Sequence, residues 1–203
     1  MSVRFQPINV TIKDKSYYYH NFELLTLEAG DLVQVDCESF GGNPSPDLIW
    51  SMNGLKVASS NDIVIKILNE KIKTSSRFSL PLTRKDNLAV VKCSVIHPAL
   101  KYEMDSTIIL NVLYAPHIKN HSPKKYELVE GDSVTFNCEV NSNPTSYVYW
   151  YISGINGRAM VGSVDILNLY NLSRTDAALY QCQAENDLGL SKFVNHDLNI
   201  LCK

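Results

Sequence analysis

The chain has 203 residues, enough for one large domain or two of about 100, and its 45% hydrophobic and 20% charged content is that of an ordinary folded protein. Lys plus Arg is 19 and Asp plus Glu is 21; divided at Pro116, the chain carries 12 basic and 12 acidic residues before that point and 7 and 9 after it. Neither half has the basic stripe that a phosphate backbone requires, which excludes a dedicated nucleic-acid binder, and no apolar run approaches the roughly 20 residues that cross a bilayer.

The opening "MSVRFQPINV" lacks the apolar core of a secretory signal. This leaves an intracellular protein or a piece excised from a longer one. The first strong element is "EAGDLVQVDC", Glu28 to Cys37, in which Val33, Val35 and Cys37 alternate with polar residues. That period of two describes a half-buried strand with the cysteine on its inner face. Trp50 follows 13 residues after Cys37 in "GGNPSPDLIW", and Asn53-Gly54 then reads as a hairpin turn. The next cysteine, Cys93 in "NLAVVKC", stands 43 residues after Trp50, and the region around Ile63 to Ile72 has room for an additional or longer strand. Pro81 falls in a later strand, where it cannot donate to the ladder. "LNVLYAP", Leu110 to Pro116, closes this half.

The same series then begins again. "VEGDSVTFNC", Val129 to Cys138, repeats the Gly-Asp followed by an alternating strand; Trp150 stands 12 residues after Cys138, and Cys182 in "AALYQC" lies 32 after Trp150. "LNILCK", Leu198 to Lys203, answers "LNVLYAP". Only Tyr114, Ala115 and Pro116 separate the two series. Proline restricts both its own φ and the residue before it, so a short, stiff joint is expected.

With two copies of a Cys, Trp, Cys skeleton on short alternating strands, the chain resembles the immunoglobulin superfamily over its whole length. The resemblance implies an all-β fold of two tandem immunoglobulin-like β-sandwiches in an elongated arrangement. Residues 1–115 would form an atypical C-type domain and residues 116–203 an I/C2-type domain. It also implies a bridge from Cys37 to Cys93 and another from Cys138 to Cys182, each packed against its tryptophan, Trp50 or Trp150. Asp176, Tyr180, Cys182, Ala184, Asn186 and Gly189 match the pattern D-x-x-x-Y-x-C-x-A-x-N-x-x-G of many such domains. Tyr180 is thereby the expected tyrosine corner, whose hydroxyl ties back to nearby backbone. The first copy has Val91 at the corresponding place and lacks that lock.

Bridges closing some 45 to 57 residues would each stabilise a domain by about 3–4 kcal/mol on the loop-entropy view. They also place the chain in an oxidising compartment, against the intracellular muscle domains that share this fold. Three N-x-S/T acceptors, at Asn9, Asn120 and Asn171, point the same way. Cys202 is left over. It stands where the repeat has Tyr114, and reads either as the start of a connection to a further domain or as an intermolecular thiol.

The fragments that echo catalytic or binding motifs read as turns. Gly131-Asp132-Ser133 echoes a serine-protease nucleophile region, but Gly30-Asp31-Leu32 fills the same place without a serine. Asn156-Gly157-Arg158 echoes an integrin-binding tripeptide, but Asn-Gly is also the strongest hairpin signal. The five histidines show no ligand spacing, and His117 and His121 would lie about 13 Å apart along a strand. No catalytic residue, metal site or cofactor is expected. One surface stands out. If Trp150 faces the core, Tyr147, Tyr149 and Tyr151 face outward, and Gln181, Gln183 and Glu185 on the strand of Cys182 do the same. This tyrosine row beside polar acceptors is the candidate partner-binding face, set against the alternative that the rings merely hold the sheet together. The corresponding positions of the first copy, Ile49, Ser51, Lys92 and Ser94, are blander.

"CSVIHPAL…STIILNVLYAP" and "GGNPSPDLIW" are similar to domains of the nephrin and Neph group and of nectin-like adhesion molecules. The resemblance implies a non-enzymatic, extracellular protein-recognition module of a cell-surface adhesion receptor. It would bind the same or a related immunoglobulin-superfamily protein, in trans or in cis, with no nucleic acid and no small-molecule substrate, and would be anchored in the membrane only through sequence outside this chain. A secreted immune or ligand-binding protein and the ectodomain of a receptor kinase are the alternatives.

Overall fold

The computed structural model describes residues 4–57, 60–68, 71–119, 124–154 and 157–202. Backbone contacts divide the chain into two compact units, Met1–Val112 and Leu113–Lys203. The division falls three residues before the boundary expected at 115.

The first unit contains β1 (Phe5–Lys13), β2 (Tyr18–Tyr19), β3 (Glu23–Glu28), β4 (Leu32–Asn43), β5 (Asp47–Met52), β6 (Leu55–Lys56), β7 (Ser60–Leu68), β8 (Lys71–Pro81), β9 (Val90–Ile96) and most of β10 (Met104–Ile118). One sheet has the order β2-β1-β4-β8-β7; the other runs β10-β9-β5-β6, with β3 beside β10. The extra length read around Ile63 to Ile72 is the β7–β8 hairpin, paired from Val64↔Ser75 to Leu68↔Lys71. Pro81 is the last residue of β8, opposite Leu32. Its missing N–H therefore falls where the ladder ends.

In the second unit β11 (Lys124–Val129), β12 (Val134–Asn137), β13 (Val140–Asn143), β14 (Tyr147–Gly154), β15 (Gly157–Gly162), β16 (Ile166–Leu169), β17 (Ala178–Asn186), β18 (Gly189–Leu190) and β19 (Val194–Leu201) follow. The larger sheet has the order β11-β19-β17-β14-β15, with β11 parallel to β19. The other face is built from β12 on β16 and from β13 on the end of β10. The three residues expected as a joint, Tyr114 to Pro116, lie inside β10.

Alternation fills both cores. Val33, Val35 and Cys37 of β4 are buried, as are Leu48 and Trp50 of β5, Phe78 of β8 and Val91, Cys93 and Val95 of β9. Cys37 is bonded to Cys93 and Cys138 to Cys182, with Cα–Cα separations of 6.4 and 6.3 Å. Both tryptophans are fully buried, so each indole N–H needs an acceptor inside the protein. Trp50 Nε1 donates to Ser76 Oγ at 3.2 Å, and Trp150 Nε1 to the Val164 carbonyl at 2.9 Å.

Both Gly-Asp pairs are turns. Gly30 and Gly131 adopt φ of 105° and 92°, which favours glycine. In each copy the aspartate carboxylate accepts the N–H three residues back, from Glu28 in one and Val129 in the other. The Asp132 carboxylate of the protease-like fragment is therefore occupied by its own turn. Asn53-Gly54 forms the β5–β6 turn, with φ of 50° and 80°; Asn156 lies outside the described residues.

Tyr180 is 2% exposed, and its hydroxyl donates to the Asp176 carbonyl at 3.0 Å. Asp176 in turn accepts the Ser173 N–H, as Asp86 accepts that of Thr83 in the first unit. Both copies thus keep the capped turn. Only the second adds the tyrosine, while the first buries Val91 there.

The second core also encloses a titratable group. His196 on β19 is 1% exposed and sits among Tyr126, Phe136 and Trp150, with ring centroids 5.9, 5.1 and 5.2 Å away. Nδ1 is 3.1 Å from the Tyr126 hydroxyl, whereas Nε2 is buried without a partner. Burial, aided by Lys124, lowers the imidazole from 6.5 to about 4. Above pH 6.5 the group is neutral folded or unfolded and does not affect the balance. As pH falls from about 6.5 towards 4, the unfolded chain takes up a proton that the folded chain refuses, so stability declines. Urea unfolding of the chain should show the second unit losing about 2–3 kcal/mol across that window. His196→Phe should flatten the dependence; an equally steep decline in that variant would assign it to other groups.

Candidate functional site

With Val148 and Trp150 of β14 buried, alternation sends Tyr147, Tyr149 and Tyr151 to the outer face of the larger sheet. Register sets each beside one residue of β17: Tyr147↔Glu185, Tyr149↔Gln183 and Tyr151↔Gln181. The structure therefore brings all six expected residues onto one surface. They are not equally accessible. Tyr147 is 72% exposed, Tyr149 and Tyr151 are half-buried, and Glu185 is exposed.

Gln181 is the exception. Expected as a free outward acceptor, it is 6% exposed, because both ends of its amide are taken. Arg158 Nε donates to its Oε1 at 2.8 Å, and its Nε2 donates to Asn195 Oδ1 at 2.8 Å. The Arg158 guanidinium also lies over the Phe193 ring, 3.9 Å from the centroid, and the Phe193 and Tyr151 rings meet edge to face with centroids 5.8 Å apart. Gln183 Nε2 donates to the Ser191 carbonyl at 3.0 Å. The face thus has two parts. Around Gln181 the side chains are locked to one another; around Tyr147, Tyr149 and Glu185 they are open, bordered by Leu190, which pairs with Glu185 and is 57% exposed. Met160, opposite Tyr151 and 61% exposed, flanks the row on β15.

Arg158, Phe193, Asn195, Met160 and Leu190 escape a reading by alternation alone. The β14–β15 register places Arg158 opposite Ser153. Its reach across β14 to β17 depends on side-chain length and not on period. Phe193 precedes β19, where no periodicity applies.

The comparable face of the first unit pairs Ile49↔Ser94 and Ser51↔Lys92. Lys92 is engaged by Asp105 at 2.7 Å, whose hydrogen bond raises the ammonium above its ordinary range. Of the acceptor asparagines, Asn9 is exposed on β1 and Asn171 is exposed in the turn after β16 at φ 51°, while Asn120 lies outside the described residues. Cys202 is exposed and unbonded.

Two family models match. One describes an immunoglobulin domain and covers residues 115–186; the other describes a CD80-like C2-set immunoglobulin domain and covers residues 22–103. Among curated proteins, cell adhesion molecule 2 of Rattus norvegicus is 29% identical over 168 residues, 80% of this chain and 38% of that protein. Nephrin of Rattus norvegicus is 26% identical over 200 residues, 94% of this chain and 15% of that protein. This chain therefore spans well under half the length of either relative. Among solved structures, the full ectodomain (Ig1–Ig3) of mouse nectin-like molecule 4 aligns with a TM-score of 0.69 at 21% identity, covering 99% of this chain and 67% of that one. That likeness concerns the fold.

The locked part of the face makes Arg158 a strut. Arg158→Ala removes one hydrogen bond and one cation–π contact, and should cost about 1–2 kcal/mol in the urea stability of the second unit. An unchanged midpoint would show that these contacts carry no net weight.

Proposed function

From a chain that belongs to the immunoglobulin superfamily, we propose a non-enzymatic recognition module of the extracellular part of a cell-surface adhesion receptor. Its partner is the same chain or a related immunoglobulin-superfamily protein. The contact is made by the open part of the tyrosine face, with Tyr147, Tyr149 and Glu185 at its centre and Tyr151, Gln183 and Leu190 around them. The observation that carries this reading is the exposure of Tyr147 next to Tyr149, on a face otherwise tied up by internal hydrogen bonds. Tyrosine offers a large apolar ring and a hydrogen-bonding tip at low entropic cost, which suits the core of a protein contact.

Placement of the acceptor asparagines agrees with this use. Asn9 is on β1 and Asn171 follows β16, so neither lies on a strand of the β19-β17-β14-β15 face. Within the second unit, carbohydrate at Asn171 is therefore attached off the strands that carry the tyrosines. Gln181 takes no direct part, because its amide is already satisfied.

Sedimentation equilibrium of the glycosylated chain over a concentration series tests the homophilic form. Self-association is expected, and a Tyr147→Ala, Tyr149→Ala double variant should weaken it at least tenfold with the unfolding midpoint kept within the range of a surface substitution. Self-association unaffected by the double variant would rule out this face as the contact.

A further inference from the structure

The outer face of the β2-β1-β4-β8-β7 sheet holds a cleft that the tyrosine face does not use. With Cys37 turned inward, Asp36, Glu38 and Phe40 of β4 turn outward. Register aligns their neighbours into three rows across the sheet. Lys13, Asp36 and Arg77 make the first row; Thr11, Glu38, Ser75 and Val64 the second; Asn9, Phe40, Lys73 and Lys66 the third. Over β4, β8 and β7 these rows border a cleft of about 330 Å³, lined by Asp36, Glu38, Lys66, Lys73, Ser75 and Arg77.

Two features of the cleft call for an occupant. The first is surplus positive charge among the described residues. Arg77 grips Asp36 through Nε at 2.7 Å and Nη2 at 3.0 Å, which balances that pair. Lys13 and Lys73, however, both close on a single oxygen of Glu38, Oε1, at 2.9 and 2.8 Å. Lys66 then stands directly opposite Lys73 across the β7–β8 ladder. Like charges in that arrangement oppose sheet formation, and an anion between them reverses the sign. The second feature is an orphan acceptor. Glu38 is 4% exposed, and its other oxygen, Oε2, is buried with no donor. A carboxylate oxygen out of water without a hydrogen bond bears an uncompensated desolvation cost.

An inorganic anion answers the first feature and leaves the second. A ligand with both an anionic group and a hydroxyl or N–H donor answers both. We propose that this cleft binds a short segment of a sulfated or carboxylated saccharide, its anion between Lys66 and Lys73 and a ring hydroxyl or N–H donating to Glu38 Oε2. The volume lies at the lower end of the range for small-molecule sites, which suits one or two sugar units. The Lys73 ammonium also lies over the Phe40 ring, 5.4 Å from its centroid. Asn9 is two strands from Lys73 in the same row, about 10 Å away, so a glycan attached there borders the site and does not fill it.

Calorimetric titration of the intact chain with a size-defined heparin tetrasaccharide tests the assignment, with sodium sulfate and a polyphosphate of equal charge as controls at fixed ionic strength. Saturable binding of the tetrasaccharide is expected, at least tenfold tighter than polyphosphate. Lys66→Glu, at an exposed strand position, should weaken it at least tenfold without lowering Tm, because it replaces a like-charge pair across the ladder with an opposite-charge one; Lys125→Glu on the second unit should leave binding as it is. The proposal is overturned by absence of saturable binding, by equal affinity for polyphosphate, or by the same loss in both variants.

Discussion

Each unit depends on one constraint: a cystine that joins two sheets, with an indole laid against it whose N–H must be satisfied in a dry interior. The bridge holds its two Cα atoms just over 6 Å apart, from β4 to β9 in the first unit and from the residue after β12 to β17 in the second. The tryptophan sits directly opposite the second cysteine of its bridge: Trp50↔Cys93 and Trp150↔Cys182. Once that pair of residues faces inward, the parity of every neighbouring position on those strands is decided, because a shift of one residue would turn each side chain to the other face. The tyrosine row and the charged cleft are both consequences of that parity, read on the outer faces.

The two units solve the rest of the problem differently. Trp50 finds its acceptor in a side chain, Ser76, and Trp150 in a backbone carbonyl. The first unit fills the corner with Val91 and builds its interior from aliphatic side chains around Phe78. The second ties Tyr180 to Asp176 and fills its interior with rings, placing Phe136 within 5.9 Å of Tyr126, Trp150, Tyr180 and His196. A histidine can join that cluster only in its neutral form, which makes the core of the second unit acid-sensitive.

Much of this was legible in the sequence, since strand period and the spacing of Cys, Trp and Tyr are properties of the chain itself. Val33, Val35 and Cys37 announce an inward face without any coordinates. What escaped depended on reach and register. Nothing local marks Gln181 as covered, because Arg158 comes to it from β15, across β14. Nor does alternation reveal that Glu38, a charged residue at an outward position, is buried; two lysines from β1 and β8 fold over it. The joint at Tyr114 to Pro116 was read from proline's restrictions, yet extended geometry at those residues is equally what a strand requires, and β10 runs through them. The opposed pair Lys66↔Lys73 became visible only with the hairpin's register, which the sequence left open between a longer strand and an additional one.

Peptide mapping of the non-reduced chain by mass spectrometry tests the underlying claim most directly. The expected products are one linked pair from Cys37 and Cys93, a second from Cys138 and Cys182, and Cys202 as a free thiol. A linkage between the two units, or recovery of Cys37 or Cys138 unpaired, would contradict it.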